Sequence, residues 1–282
     1  MPVIAVVNRK GGSGKSTFAA HVAAWCARQG HAVMLGDVDR QQSSRGWLRR
    51  RSADLPQIAP WALDQKNVLR VPTGITHVVL DTPGGLHGFE LARIVMFADA
   101  IVMPVCPSVF DRESAAACHA ELMTLPRVSN GRCRLATVGM RVDGRTNAAD
   151  VLQKWSEGVG VPLLGVLRET QLYVRSLEKG LTMFDLPASQ AAADLAQWEP
   201  ILQWLDPVMN PPVAANDSPA TRPPARVASA RPQALMPAQE ALVHGSRLLT
   251  GGRPLNPAPA KAKPVTLAPA RESTQIPGFL RR

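Results

Sequence analysis

A continuous apolar run, Val3-Ile4-Ala5-Val6-Val7, feeds directly into Asn8-Arg9-Lys10-Gly11-Gly12-Ser13-Gly14-Lys15-Ser16-Thr17, and a helical pattern begins near Thr17. Few folds accommodate that order. A buried strand must end in a glycine-rich turn, and the turn must open a helix. Three glycines let successive N–H groups curl round one point, and the helix N-terminus adds its partial positive charge there. Such a cradle suits phosphate. Lys15 has the reach to meet terminal phosphates, and the Ser16 hydroxyl is placed to ligate Mg2+.

The general pattern G-x-x-x-x-G-K-[ST] calls for glycine at position 9, where this chain has Arg9. A second lysine, Lys10, stands directly before Gly11-Gly12 instead. The resulting K-G-G-x-G-K-[ST] resembles the deviant Walker A loop of the ParA/MinD family of P-loop ATPases. The resemblance implies ATP with Mg2+, bound by Lys10, Gly11, Gly12, Ser13, Gly14, Lys15, Ser16 and Thr17. It also implies that Lys10 and Lys15 are catalytic, with Lys10 reaching across an ATP-state homodimer to the partner's nucleotide.

Two later strands end in acids. Ala32-Val33-Met34-Leu35 leads into Gly36-Asp37-Val38-Asp39-Arg40-Gln41, and His77-Val78-Val79-Leu80 ends at Asp81-Thr82-Pro83-Gly84-Gly85. A carboxylate at the C-terminal end of a parallel strand, beside a phosphate loop, can orient water or hold a metal. Asp81 suits the second task, through water, because Mg2+ keeps several of its waters. The first segment is similar to the family's D-x-D-P-Q motif, in which the second aspartate positions the hydrolytic water. That residue is Asp39, with Asp37 as a supporting carboxylate, and Arg40 stands where proline is usual. D-T-P-G-G matches the family's metal-binding strand end, whose glycines form a backbone switch near the γ-phosphate.

Around these motifs, helices and strands alternate. Phe18, Val22, Ala23, Trp25 and Cys26 recur at helical spacing, with Gly30 closing the helix, and His21 and His31 read as structural. Arg45, Arg49, Arg50 and Arg51 surround Trp47 and Leu48 in what reads as a helix with a solvated basic face. Residues 53–76, with Pro56, Pro60 and Pro72, carry no clear period. Strands are expected at Ala100–Val105, Leu135–Met140 and Val161–Leu167, and helices ending near Leu125, over 148–158 and from Ala188 to Leu205. The stretch around Ala100–Asp111 also resembles the family's strand and following loop. By that resemblance, Met140 and Arg141 lie against the adenine, and Arg168, Arg175 and Lys179 belong to a basic DNA-binding surface. The fold class is α/β, a doubly wound, mostly parallel sheet of P-loop type.

The chain of 282 residues divides by composition into an ATPase domain over 1–206 and a tail over 207–282. The tail carries 14 of the 25 prolines, with ten Lys and Arg against Asp217, Glu240 and Glu272, and reads as disordered. Pro237–Leu249 could form a short helix on binding, and Ile276–Arg282 sets apolar anchors beside two arginines. The net charge of +10 favours nucleic acid or an anionic surface as partner. Cys26, Cys106, Cys118 and Cys133 lack metal-ligand spacing and read as reduced thiols, which argues against zinc and iron–sulfur roles. No apolar run reaches the roughly 18 to 20 residues that span a bilayer. A signal peptide has no room before the first strand, so the expected location is cytoplasmic and nucleoid-associated.

The function implied is a slow, partner-stimulated ATPase switch that dimerises with ATP and binds nonspecific DNA. It would partition or position a plasmid, chromosome region or large protein assembly, with a ParB-like or other adaptor as stimulator. No helix-turn-helix precedes the first strand, which resembles the short members of the family. An alternative is an ATP-gated regulator of a division, conjugation or chemotaxis partner. A MinD-like membrane role is disfavoured because the proline-rich C-terminus offers no amphipathic helix.

Overall fold

The computed structural model describes residues 1–37, 42–62 and 71–211. Its strands are β1 (Val3–Val6), β2 (Val33–Asp37), β3 (Ile58–Ala62), β4 (His77–Asp81), β5 (Ala100–Val105), β6 (Arg134–Val142) and β7 (Leu163–Arg168). They form one sheet in the order β3-β2-β4-β1-β5-β6-β7, parallel at every pairing. Its helices are α1 (Lys15–Arg28), α2 (Ser43–Leu48), α3 (Gly88–Phe97), α4 (Val109–Met123), α5 (Pro126–Ser129), α6 (Ala148–Val159), α7 (Gln171–Glu178) and α8 (Ala188–Met209). The expected doubly wound α/β architecture is what forms.

Helices on both faces explain the unbroken apolar strands. Ile4 and Val6 of β1 pack with residues of α1 and α8, while Val3, Ala5 and Val7 pack with residues of α3, α4 and α6. The central strand β1 lies between β4 and β5. From β1 the chain crosses to β2 on one flank, and from β4 it crosses to β5 on the other. The loop after β1 therefore opens into the crevice where the winding reverses, the usual ligand position in such sheets.

The helix that follows this loop is covered on almost all sides. Ala19, Ala20, Ala23, Ala24 and Ala27 let α1 lie close to the sheet, and Phe18 stacks on Trp198 of α8 at 5.1 Å between ring centroids. Gly30, at φ +87°, ends it in a Schellman turn, with Gly30 N–H bonded to Ala27 O and His31 N–H to Cys26 O. Inside the helix, His21 is wholly buried. Its Nδ1 donates to Thr17 O at 2.7 Å, and its Nε2 accepts from Met183 N–H at 3.2 Å. That arrangement holds only for the neutral ring, and burial pushes its pKa down to about 4.

Several features depart from the periodicity reading. The uninformative stretch contains β3, an edge strand pairing only with β2, which is the position where Pro60 is tolerated within a sheet. Helix α3 was absent from the expected elements, although Leu91, Ile94 and Val95 fall on its buried side. Helix α8 continues beyond Leu205 to Met209, through Pro200 and Pro207. Gly165 on β7 lies beside the Pro200 ring, at ordinary packing distance.

The arginine run is not one solvated face. Arg51 is nearly buried and forks onto Asp185 at 2.8 and 3.1 Å, while Arg49 and Arg50 are exposed. Asp185 also closes a capping box with Thr182. Gly180, at φ +73°, seats against the Arg50 carbonyl so closely that a Cβ would lie 2.4 Å from it.

The state of His21 makes stability pH-dependent. An unfolded histidine takes its proton near pH 6.5 and folded His21 only near 4, so the unfolded chain binds more protons across that window. The contribution is complete above 6.5 and lost as pH falls towards 4, amounting to about 3 kcal/mol. Urea midpoints should drop on acidification from pH 7 to 4, and His21→Gln should remove a measurable part of that drop.

Candidate functional site

The loop between β1 and α1 is held from outside. Asn8 donates from Nδ2 to Pro104 O at 2.7 Å and accepts Lys10 N–H on Oδ1 at 3.0 Å. Gly85 N–H reaches Arg9 O at 2.5 Å, and Thr82 Oγ1 bonds Val6 O at 2.7 Å. Lys15, largely buried, turns its Nζ back to Lys10 O at 2.9 Å. Two glycines are required here, Gly14 by its backbone conformation and Gly84 by the closeness of the loop. Gly14 takes φ +94° with a notional Cβ only 2.8 Å from the tip of Met140, and a Cβ on Gly84 would lie 3.2 Å from Gly11 N and Cα.

Beside the loop, β2 and β4 are in register with Asp37 opposite Asp81. Both carboxylates are buried. Burial pushes the Asp81 pKa up to about 6, against the opposing pull of the Ser44 and Ser16 hydroxyls and Lys15; the neighbouring Asp37 charge adds to the rise. Ser44 Oγ donates to Asp81 Oδ2 at 2.5 Å, whereas Asp81 Oδ1 is buried without a hydrogen bond. Asp37 Oδ2 accepts Arg45 N–H at 3.0 Å. An orphaned carboxylate oxygen with a serine hydroxyl close by is a hard-oxygen donor set that fits a divalent cation such as Mg2+. A cleft of about 610 Å³ opens here, lined by the loop, Ser43, Pro83-Gly84-Gly85 and Arg141.

A smaller cavity of about 130 Å³ lies past Gly14 and Thr17, among Met140, Arg141, Leu167, Tyr173 and Leu177. Met140 is 5% exposed and props Gly14 from behind, while exposed Arg141, at φ +54°, borders both cavities. The two expected base contacts thus meet in one small, largely apolar recess. Lys10 places its Nζ 2.7 Å from Asp111 Oδ2, and Arg9 pairs with Glu121. Asp39, expected to orient water, lies outside the described residues, as does Arg40. Of the expected basic surface, Arg168 is forked onto Asp194 at 2.8 and 2.9 Å, while Arg175 and Lys179 are exposed. The sequence reading assigned no role to Ser44 or Asp111, which act through contacts remote in sequence. Burial raises the thiol pKa values of Cys118 and Cys133, to about 11 and about 12.

Residues 4–183 match the family model described as the CobQ/CobB/MinD/ParA nucleotide binding domain. The chain is 31% identical over 210 residues to the maintenance of carboxysome distribution protein A of Gloeobacter kilaueensis, covering 72% of this chain and 94% of that protein. The ATP complex of Cyanothece McdA has the same fold, with a TM-score of 0.56 at 14% identity over 71% of this chain and 96% of that one. So does the Mg-ADP complex of the septum site-determining protein MinD from Pyrococcus horikoshii, with a TM-score of 0.54 at 14% identity, covering 74% and 98%.

The loop geometry has a direct test. Gly84→Ala would drive a methyl against the Gly11 backbone and should weaken binding of a nucleoside triphosphate at least about tenfold by calorimetry. Lys15→Ala, which removes the charge facing the cleft, should abolish measurable binding.

Proposed function

The chain belongs to the CobQ/CobB/MinD/ParA family of nucleotide-binding domains, and from that premise we propose that it is an ATP-driven positioning switch. It converts ATP and water to ADP and phosphate, self-associates in the ATP state, and in that state holds duplex DNA. The observation that carries the reading is the pairing of the Lys15 loop with the orphaned Oδ1 of Asp81. One side offers N–H groups and an ammonium to phosphate, and the other offers a carboxylate to a cation.

Ser16 and Asp81 would hold Mg2+, with Asp37 behind them; when bound, the ion neutralises phosphate charge. The chain's own groups do the remainder. Backbone N–H groups and Lys15 stabilise charge on the terminal phosphate, and Asp39 orients the attacking water. Lys10 completes the site of a second copy. Met140 and Arg141 border the recess for the base.

For the DNA surface, Arg175 and Lys179 are the exposed candidates, and the seating of Gly180 on Arg50 brings Arg49 and Arg50 alongside them. Arg168 contributes less, because its guanidinium is engaged by Asp194. No helix among the described residues is long and apolar enough to cross a membrane. The name of the Gloeobacter relative supports a large protein assembly as cargo. An adaptor would bring that cargo in and stimulate hydrolysis. A plasmid or chromosome region with a ParB-like adaptor is the other cargo class. The ATPase unit is assigned to residues 1–206, its last helix running on to Met209, and the tail to 207–282, of which 212–282 lie outside the described residues.

Two measurements test this. Asp39→Ala should trap an ATP-bound dimer in sedimentation experiments, and an unchanged hydrolysis rate would remove Asp39 from the site. Binding of the full chain to nonspecific duplex should require ATP and weaken steeply between 50 and 200 mM salt. The double change Arg175→Glu and Lys179→Glu should reduce it at least about tenfold. DNA binding without nucleotide, or indifference to that charge reversal, would place the surface elsewhere; no binding at all would favour partner gating.

A further inference from the structure

Arg9 replaces the glycine of the general phosphate-loop pattern, so the loop carries a long cation where that pattern has no side chain. The residue borders the cleft, pairs with Glu121 in the last turn of α4, and keeps its Nε buried without a hydrogen bond. The other oxygen of the same carboxylate goes elsewhere. Glu121 Oε1 accepts Gly88 N–H at 2.5 Å. Gly88 opens α3, whose N-cap His87 makes no side-chain cap, so Glu121 supplies the anion that this helix end otherwise lacks. Against the opposing effect of burial, the Arg9 and Gly88 hydrogen bonds hold the Glu121 carboxyl below its ordinary range.

Residue 9 thus reaches the segment after β4 twice. Its carbonyl accepts Gly85 N–H at 2.5 Å, and its guanidinium reaches Gly88 through Glu121. Between these ties the backbone turns at Gly85 and Gly88, at φ +79° and +57°, with Leu86 buried and Gly84 against Gly11. The place of this turn decides what it meets. The recess for the base lies past Gly14 and Thr17, whereas Pro83, Gly84 and Gly85 line only the larger cleft and follow Asp81 directly. The turn therefore faces the phosphate end of a nucleotide lying along the site.

We propose that Glu121 is a positioning residue that, by joining Arg9 to the Gly88 N–H, fastens the Gly84–Gly88 turn onto the phosphate loop and sets the cleft wall before a terminal phosphate arrives. The proposal rests on the nucleotide reading given above. Glu121 touches no nucleotide group and acts only through Arg9 and the first turn of α3. Its effect is on selectivity: the fastened turn favours a triphosphate over a diphosphate, because only the triphosphate extends to that wall.

Two measurements on the full chain test this. The first is amide hydrogen exchange without nucleotide, which reads the turn directly. Glu121→Gln keeps the side-chain shape but removes the charge, and it should speed exchange over residues 85–91 while leaving α1 and the central strands unchanged. The second is calorimetric titration with Mg2+ and either a non-hydrolysable ATP analogue or ADP. Glu121→Gln should weaken the ATP analogue roughly twofold to fivefold, the range expected for a partly exposed pair, and ADP by less than about twofold. Arg9→Met should lower the same ratio, Arg9→Lys should retain most of it, and Glu121→Gln added to Arg9→Met should cost nothing further. A merely structural loss would weaken both nucleotides together, and that result overturns the proposal. Unchanged exchange over 85–91 in Glu121→Gln overturns it as well, while leaving the nucleotide site intact if wild type binds both ligands. A wild-type chain that binds neither ligand overturns the reading of the site and the proposal with it.

Discussion

A loop that offers its backbone N–H groups to a ligand cannot use them to hold itself together, so its shape must be imposed by its surroundings. In this chain the imposition comes from every side. Asn8 ties the loop entry to β5, Arg9 receives Gly85 from the segment after β4, and Met140 closes on Gly14 from β6. The sheet order is what makes this possible. Only the strand between β4 and β5 can be braced by both neighbours at once, and it is this strand that carries the loop.

The same crowding sets the electrostatics. Asp37 and Asp81 face each other in register, buried, and their proximity would be costly without compensation. Compensation is partial: Ser44 and the Arg45 N–H each satisfy one oxygen, and Asp81 keeps one oxygen uncommitted. A buried carboxylate oxygen in this place is disposed to meet a cation, whose charge would offset the crowding of the two acids.

Much of this was legible in the chain. Parallel strands buried on both faces read as unbroken apolar runs, and a glycine-rich turn between strand and helix has few other uses. What escaped did so for identifiable reasons. Pro60 obscured β3 because proline argues against a strand except at an edge, and edges cannot be read locally. Arg49, Arg50 and Arg51 look alike in sequence, yet the turn after α2 sends one inward to Asp185 and leaves two outside. Ser44 meets Asp81 across 37 residues and Lys10 meets Asp111 across 101, distances over which spacing carries no signal.

Helix α2 is six residues long, or about 9 Å from end to end. Its first turn holds Ser44 on Asp81, and the residues just beyond its other end are clamped between Gly180 and Asp185. So short a helix has no slack to bend. It spans from the floor of the cleft to the turn beside Gly180, so one short element sets both the place of Ser44 against Asp81 and the docking of Arg51 on Asp185.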